Sequence, residues 1–449
     1  MAPKTTLNAK NLEQLGAQRL AELLIEISTG SAAHKRRLRL ELAGGHSVTE
    51  VALQVRKRLG SIARARTVIN WRKVKGLAAD LETQRKTAID VVAAGDPKEG
   101  LELIWQFLAI ASPVLERCTA DSGPLIECFH QACRHAGHLA AAASHEPEAL
   151  AEKVFSAVQD NGYGQYDPLI RELTIALGTN GLEHLKVLLV QGAQEMGETS
   201  ALLALEAIAD AQQDVDAYIA LQPEKTRTIP LIAADIAGRL TGAGRAGEAI
   251  QALDRVDTKG RSDLPFEWEI ARIEALEALA RSDEAQAFRW QCFEQSLNDQ
   301  HLRAYLRRLP DFDDLEAEEK ALAHAQAFPD VHRALVFLLH WPSPSEAAKL
   351  VTRRSAELNG DLYELLTSAA EALAVKHPLA ATIALRTMID FSLSHARSSR
   401  YRHAGRHLAE CVSLARYVED FGELSTHDAY VNRLKHEHGR KFGFWSFVS

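Results

Sequence analysis

The sequence predicts an all-α protein, an α-solenoid of antiparallel helix pairs. Three observations predict it. Apolar residues recur every three or four positions along nearly the whole chain. Ala, Leu and Glu, all good helix formers, dominate, and no convincing alternating strand pattern occurs. The breaks, "DNGYGQYDP" (160–168), "LQPEKTRTIP" (221–230), "DTKGRSDLPF" (257–266) and "HWPSPSE" (340–346), are short and carry Gly, Pro and Asp as turn residues. With so little slack, each helix must bury its apolar face on the next.

In chain order, residues 11–27 place Leu12, Leu15, Leu20, Leu23, Leu24 and Ile27 at helical spacing. Ser47 and Glu50 form a capping-box pattern, opening a helix with Val51, Val55, Leu59 and Ile62 on one stripe. Arg56, Lys57 and Arg58 cannot all share that stripe, so most of them face outward. Further helices are expected over 74–94, 98–117 and 123–143. In the second half, "IAADIAGRLTGAGRAGEAIQAL" (232–253) reads as helix, Gly turn, helix, with Ala233, Ile236, Leu240, Ala249 and Leu253 as its apolar set. "WEIARIEALEALARSDEAQAFRWQCF" (268–293) repeats the layout, and Ala285 follows Ala249 by 36 positions. That offset is close to the tetratricopeptide period of about 34. The expected organisation is a basic N-terminal helical region (1–95), a middle helical region (96–230) and tetratricopeptide-like repeats with an aromatic C-terminal cap (231–449).

The composition, 46% hydrophobic and 25% charged over 449 residues, is that of a soluble globular protein. No apolar run reaches the roughly 20 residues needed to cross a bilayer. The opening "MAPKTTLNAKNLEQLG" lacks the apolar core of a secretory signal, and five scattered cysteines suit reduced thiols, so a cytoplasmic location is expected. The net charge of −8 hides a split. Residues 35–86 carry fourteen Lys/Arg against four acids, residues 1–34 balance, and residues 87–449 hold eighteen acids in excess. Such asymmetry steers an anionic partner to one end of the chain, or docks basic and acidic parts on each other.

Motif-like patterns mostly read as packing. "GAGRAG" (Gly242–Gly247) matches a dinucleotide fingerprint, but a helix precedes it where a strand is needed, so the glycines break one helix and start the next. His403, His407 and Cys411 share one helix face, yet Ala404 stands where a zincin needs Glu. "CFHQACRHAGH" (128–138) points its Cys and His residues around the helix rather than to one side. The acids of "PDFDDLEAEEKAL" suit a solvated helix start and lack the central Gly of a calcium loop. No catalytic constellation is visible, so no enzymatic activity, cofactor or metal is expected.

Several stretches resemble an uncharacterised bacterial family of all-helical proteins, a domain of unknown function. They are "LEQLGAQRLAELLIEIS", "KRRLRLELA", "GDPKEGLELIWQFLAIASPVLER", "HPLAATIALRTMIDFSLSHARSSRYRHAGRHLAEC" (377–411) and "HDAYVNRLKHEHGRKFGFW". Parts of the second half are also similar to the helical repeat region of bacterial SWIM zinc-finger proteins. The CxC pair of that zinc finger is absent, so its metal site does not carry over. The resemblance implies an all-helical architecture and no particular activity.

Two function classes fit. One is a non-enzymatic helical-repeat scaffold mediating protein–protein interaction, with the concave face of stacked pairs as the capture surface. In that reading the C-terminal aromatics Tyr430, Phe442, Phe444 and Trp445 either cap the stack or form a partner surface. The alternative is a nucleic-acid-associated protein. It would hold phosphates with Lys35, Arg36, Arg37, Arg39, Arg56, Lys57, Arg58, Arg64, Arg66, Arg72, Lys73 and Lys75, and Trp71 would either stack on a base or anchor its helix. A homo-oligomer is compatible with either.

Overall fold

A computed structural model describes residues 7–31, 34, 35, 38, 47–142, 146–258 and 264–448. Among these residues the protein is all-α, and the only β pairing is an isolated parallel bridge between Ile69 and Cys118. No described helix is long and apolar enough to cross a membrane. The chain divides into two compact units, Met1–Pro223 and Glu224–Ser449.

The first unit runs α1 (Ala9–Glu13), α2 (Gly16–Ser28), α3 (Val48–Ala63), α4 (Trp71–Thr87), a π-helical turn (Ala88–Ala93), α5 (Pro97–Leu108), α6 (Ala111–Leu115), α7 (Gly123–Ala142), α8 (Pro147–Gln159), α9 (Leu169–Met196), α10 (Glu198–Gln212) and α11 (Val215–Leu221). The Ser47 side chain accepts from the Glu50 N–H at 3.2 Å, which starts α3 where the capping pattern placed it. Val51, Val55, Leu59 and Ile62 are buried, as their spacing requires. The helix expected over 98–117 is two helices. Pro113 has no N–H to donate and would disrupt a continuous helix; with a break at Ala109–Ile110, it falls in the first turn of α6, where that donor is not needed. The buried core of this unit draws its residues from Val51 to Ile208, on both sides of residues 95 and 96, where composition set a regional boundary.

Two glycines shape this core. A Cβ on Gly137 of α7 would lie 2.2 Å from the Glu172 carbonyl oxygen on α9, so only glycine lets these backbones meet. Gly178 takes φ +55° and breaks the helical path within α9. The loop 160–168 is tied down by Tyr166, whose hydroxyl donates to the Leu108 carbonyl at 2.7 Å.

The second unit runs α12 (Pro230–Gly242), α13 (Ala246–Asp254), α14 (Phe266–Ala278), α15 (Ser282–Ser296), α16 (Asp299–Leu306), α17 (Asp313–Ala327), α18 (Val331–His340), α19 (Pro344–Arg353), α20 (Tyr363–Leu373), α21 (Pro378–Ser394), α22 (Tyr401–Ala415), α23 (His427–His438) and α24 (Phe442–Trp445). "GAGRAG" is the α12–α13 turn. Gly244 takes φ +77°, and the Arg245 N–H closes on the Leu240 carbonyl at 2.8 Å. The α14–α15 turn copies it: Ala280 takes φ +57° and the Arg281 N–H bonds the Leu276 carbonyl at 2.9 Å. This is the Schellman closure of a helix end. Arg245 then pairs with Glu248 at 2.7 Å and Arg281 with Glu284 at 2.5 Å, one pair per turn. Ala249 and Ala285 are both fully buried, letting each hairpin close tightly.

Candidate nucleic-acid interface

Residues 51–79 contain eight Lys/Arg and no acid. The fold presents them on α3, the connecting segment 64–70 and the first turns of α4. The apolar stripe of α3 faces inward, and Val74 and Leu81 do the same for α4, so the cations between them are forced outward.

Partners divide these cations into two groups. Arg56 pairs with Glu99 of α5. Arg58 donates through Nε to Asp80 Oδ2 at 2.9 Å, bridging α3 to α4. Those two side chains are partly buried and tie helices together. Lys57, Arg64, Arg66, Arg72, Lys73 and Lys75 are exposed, and among the described residues none has an ion-pair partner. Lys73 makes one weak bond, to the Val68 carbonyl at 3.3 Å. Lys35 is exposed, while Arg36, Arg37 and Arg39 lie outside the described residues.

The connecting segment is held by Arg117, a residue the sequence did not single out. Its guanidinium donates to the carbonyls of Pro113 (2.7 Å), Thr67 (3.2 Å) and Ile62 (3.0 Å). The Ile69 N–H donates to the Arg117 carbonyl at 2.9 Å, and the Thr119 N–H donates to the Ile69 carbonyl at 3.0 Å. The segment is thus a fixed ledge. It borders a shallow cavity of about 460 Å³ whose charged lining is Arg58, Lys73, Arg117 and Asp80. Beside it Trp71 stands 71% exposed, with the Arg72 guanidinium 5.0 Å from its ring centroid. An exposed indole with a cation over its face is a ready stacking platform.

The C-terminal aromatics separate. Tyr430 and Phe444 are buried in the core of the second unit, and the Tyr430 hydroxyl donates to Asp390 Oδ1 at 3.0 Å. Trp445 is half-buried with its indole N–H on the His438 carbonyl at 3.0 Å, and Phe442 is exposed. Tyr430, Phe444 and Trp445 thus pack on the core of the second unit.

The histidine and cysteine patterns are also placed. Exposed His403 bonds the Tyr363 hydroxyl at 3.1 Å, and these two residues line a cleft of about 560 Å³ with Arg400, Asp361, Leu362 and Leu365. His407 and Cys411 are buried, and burial pushes the Cys411 thiol up to about 12. In α7, His130 bonds the Gly164 carbonyl at 2.8 Å and His135 lies 2.9 Å from Arg85 Nη1. Burial raises the Cys128 thiol to about 11 and the Cys133 thiol to about 12, so neither is a ready thiolate ligand. Among the described residues, three metal-capable side chains converge at Glu269, Cys292 and His301, all buried.

No curated protein matches the chain. A family model, "Family of unknown function (DUF6880)", matches residues 2–202 and 193–447. With an all-helical fold and nearly the whole chain matched, the protein belongs to this family of unknown function (DUF6880).

Proposed function

We propose that the protein is a non-enzymatic helical scaffold that binds nucleic acid along its phosphate backbone through α3, the 64–70 ledge and the start of α4. In this reading the helices form an α-solenoid of antiparallel pairs, tetratricopeptide-like where the turns at Gly244 and Ala280 repeat. One observation carries the proposal. Among the described residues, six exposed cations have no ion-pair partner, and they share with the exposed Trp71 a stretch, 51–79, that contains no acid. Cations used for folding are normally neutralised or tied to carbonyls, as Arg58 and Arg117 are. Six left free along α3, the ledge and the first turns of α4 offer more positive charge than a single small anion needs.

The test is fluorescence anisotropy with labelled single- and double-stranded oligonucleotides at several salt concentrations. About six phosphate contacts predict a loss of affinity on the order of 1,000-fold between 50 and 200 mM salt. Absence of binding at about 50 mM salt rejects the reading.

Protein capture is the second reading. It is favoured by Phe312 (80% exposed) and Leu315 (59% exposed), which flank the acidic start of α17 and would suit a basic, partly apolar partner.

A further inference from the structure

Glu269, Cys292 and His301 come from three consecutive helices of the second unit. Glu269 lies in the first turn of α14, Cys292 near the end of α15 and His301 in the first turn of α16. They are 8%, 2% and 1% exposed. One ligand atom from each lies within 4.8 Å of the others, and His301 Nε2 is 2.8 Å from Glu269 Oε2.

As free side chains they are an awkward group to bury. Glu269 faces both the His301 imidazole and the Cys292 thiol, and desolvation together with the carboxylate charge holds that thiol well above its ordinary range. His301 Nδ1 is buried with no partner, as is the neighbouring Trp268 indole N–H. Phe266 covers the imidazole with ring centroids 5.0 Å apart. Nothing in the proposed nucleic-acid surface uses this cluster, which lies in the other unit.

We propose that Glu269, Cys292 and His301 form a buried zinc site. The donor set is one sulfur, one nitrogen and one oxygen, the mixture that suits Zn²⁺ and not the all-oxygen shells of Mg²⁺ or Ca²⁺. A thiolate and a carboxylate carry two negative charges, and the divalent ion cancels both. A buried cluster is then electrically neutral. Zinc bonds of about 2.0–2.3 Å place ligand atoms a little over 3 Å apart. The side chains reach that spacing by drawing Cys292 inward and opening the short Glu269–His301 contact slightly. Three protein ligands leave one position for water. Binding releases the thiol proton, so affinity rises with pH. The site links α14, α15 and α16, and because all three ligands are buried the ion enters as these helices fold together.

The test uses the full chain, stripped with chelator and titrated first with Co²⁺ and then with Zn²⁺. The expected results are one ion per chain, a thiolate-to-cobalt charge-transfer band that zinc bleaches, and a raised unfolding midpoint with zinc but not magnesium. Cys292→Ser, close in size to the thiol, loses the band and binds zinc weaker by on the order of 100-fold or more, since even outer-shell changes cost 10–100-fold. His301→Gln behaves alike, and circular dichroism checks that each variant is helical. If a variant fails to fold, the midpoint and spectrum of the unaltered chain still decide. No band and no zinc-dependent midpoint in that chain overturns the proposal, as does binding that Cys292→Ser leaves unchanged.

Discussion

Gly244 and Ala280 occupy the same place in successive hairpins, 36 positions apart, and both take left-handed backbone, at φ +77° and +57°. For glycine this is free; for alanine the Cβ crowds the following carbonyl, at a cost of about 1–2 kcal/mol. A Cβ on Gly244 would meet nothing within 4 Å, so conformation alone decides there. Ala280→Gly should therefore stabilise the second unit by about 0.5–1 kcal/mol, and Gly244→Ala should destabilise it by about 1 kcal/mol. Urea midpoints of the two variants, compared with the unaltered chain, check both signs.

The same turn shows what a sequence makes visible. The Schellman closure also ends α10 at Gln213 (φ +56°) and α21 at Ala396 (φ +50°), with the Asp214 N–H on the Ala209 carbonyl and the Arg397 N–H on the Ser392 carbonyl, both at 2.9 Å. Only Gly244 announces it, because the other three residues are not turn formers. Helix starts were clearer where a side chain makes the cap, as at Ser47. The α3 stripe was legible because burial follows the 3.6-residue period. The role of Arg117 was not, because its bonds go to carbonyls about 50 residues away, which carry no sequence signal. Nor was the convergence of Glu269, Cys292 and His301, since intervals of 23 and 9 residues match no local ligand motif and only helix packing brings them together. Within the basic segment, composition showed the charge; only the structure separates the paired Arg56 and Arg58 from their free neighbours.

Gly137 tests the α7–α9 contact. The clash of an added Cβ is with backbone, the Glu172 carbonyl, so no side-chain rotation relieves it. Gly137→Ala should destabilise the first unit by about 3 kcal/mol, at the upper end for overpacking, despite alanine's better helix propensity. A midpoint equal to or above that of the unaltered chain would show that the two helices separate at little cost.

Binding and folding should be separable among the arginines. Arg64, Arg66 and Arg72 are exposed and unpaired, so their joint change to Glu should leave the unfolding midpoint within about 0.5 kcal/mol of the parent. It should lower the salt slope of oligonucleotide binding by about 3, roughly one per lost phosphate contact. Arg58→Ala does the reverse. It leaves Asp80 half-buried without its strongest partner, so stability falls by about 1–3 kcal/mol. Oligonucleotide affinity changes far less than in the triple variant. Equal effects of the two variants on binding would remove the distinction between tied and free cations.

Acid should loosen the fold through three histidines. Burial holds His407, His427 and His135 below their ordinary value of 6.5; Arg386 adds to the effect at His427 and Arg85 at His135. For His407 the Glu410 carboxylate at 3.4 Å opposes the shift without overcoming it, and its buried Nε2 has no partner. With a folded pKa below the unfolded one, the unfolded chain takes up the proton first as pH falls. The stability these groups allow is thus complete above about pH 6.5 and is lost progressively below it, by at most about 1.4 kcal/mol per pH unit for each histidine. His407→Leu removes one of these protonation sites and the orphaned nitrogen together, and the new side chain faces Tyr363, whose ring centroid lies 5.5 Å from the imidazole's. Urea midpoints measured from pH 5 to pH 8 should therefore fall less steeply on the acid side for His407→Leu, with little difference between the two proteins' slopes above pH 7. An unchanged acid slope would mean that His407 is protonated equally in the folded and unfolded chain, and that its burial is relieved by movement of α22 rather than by loss of the proton.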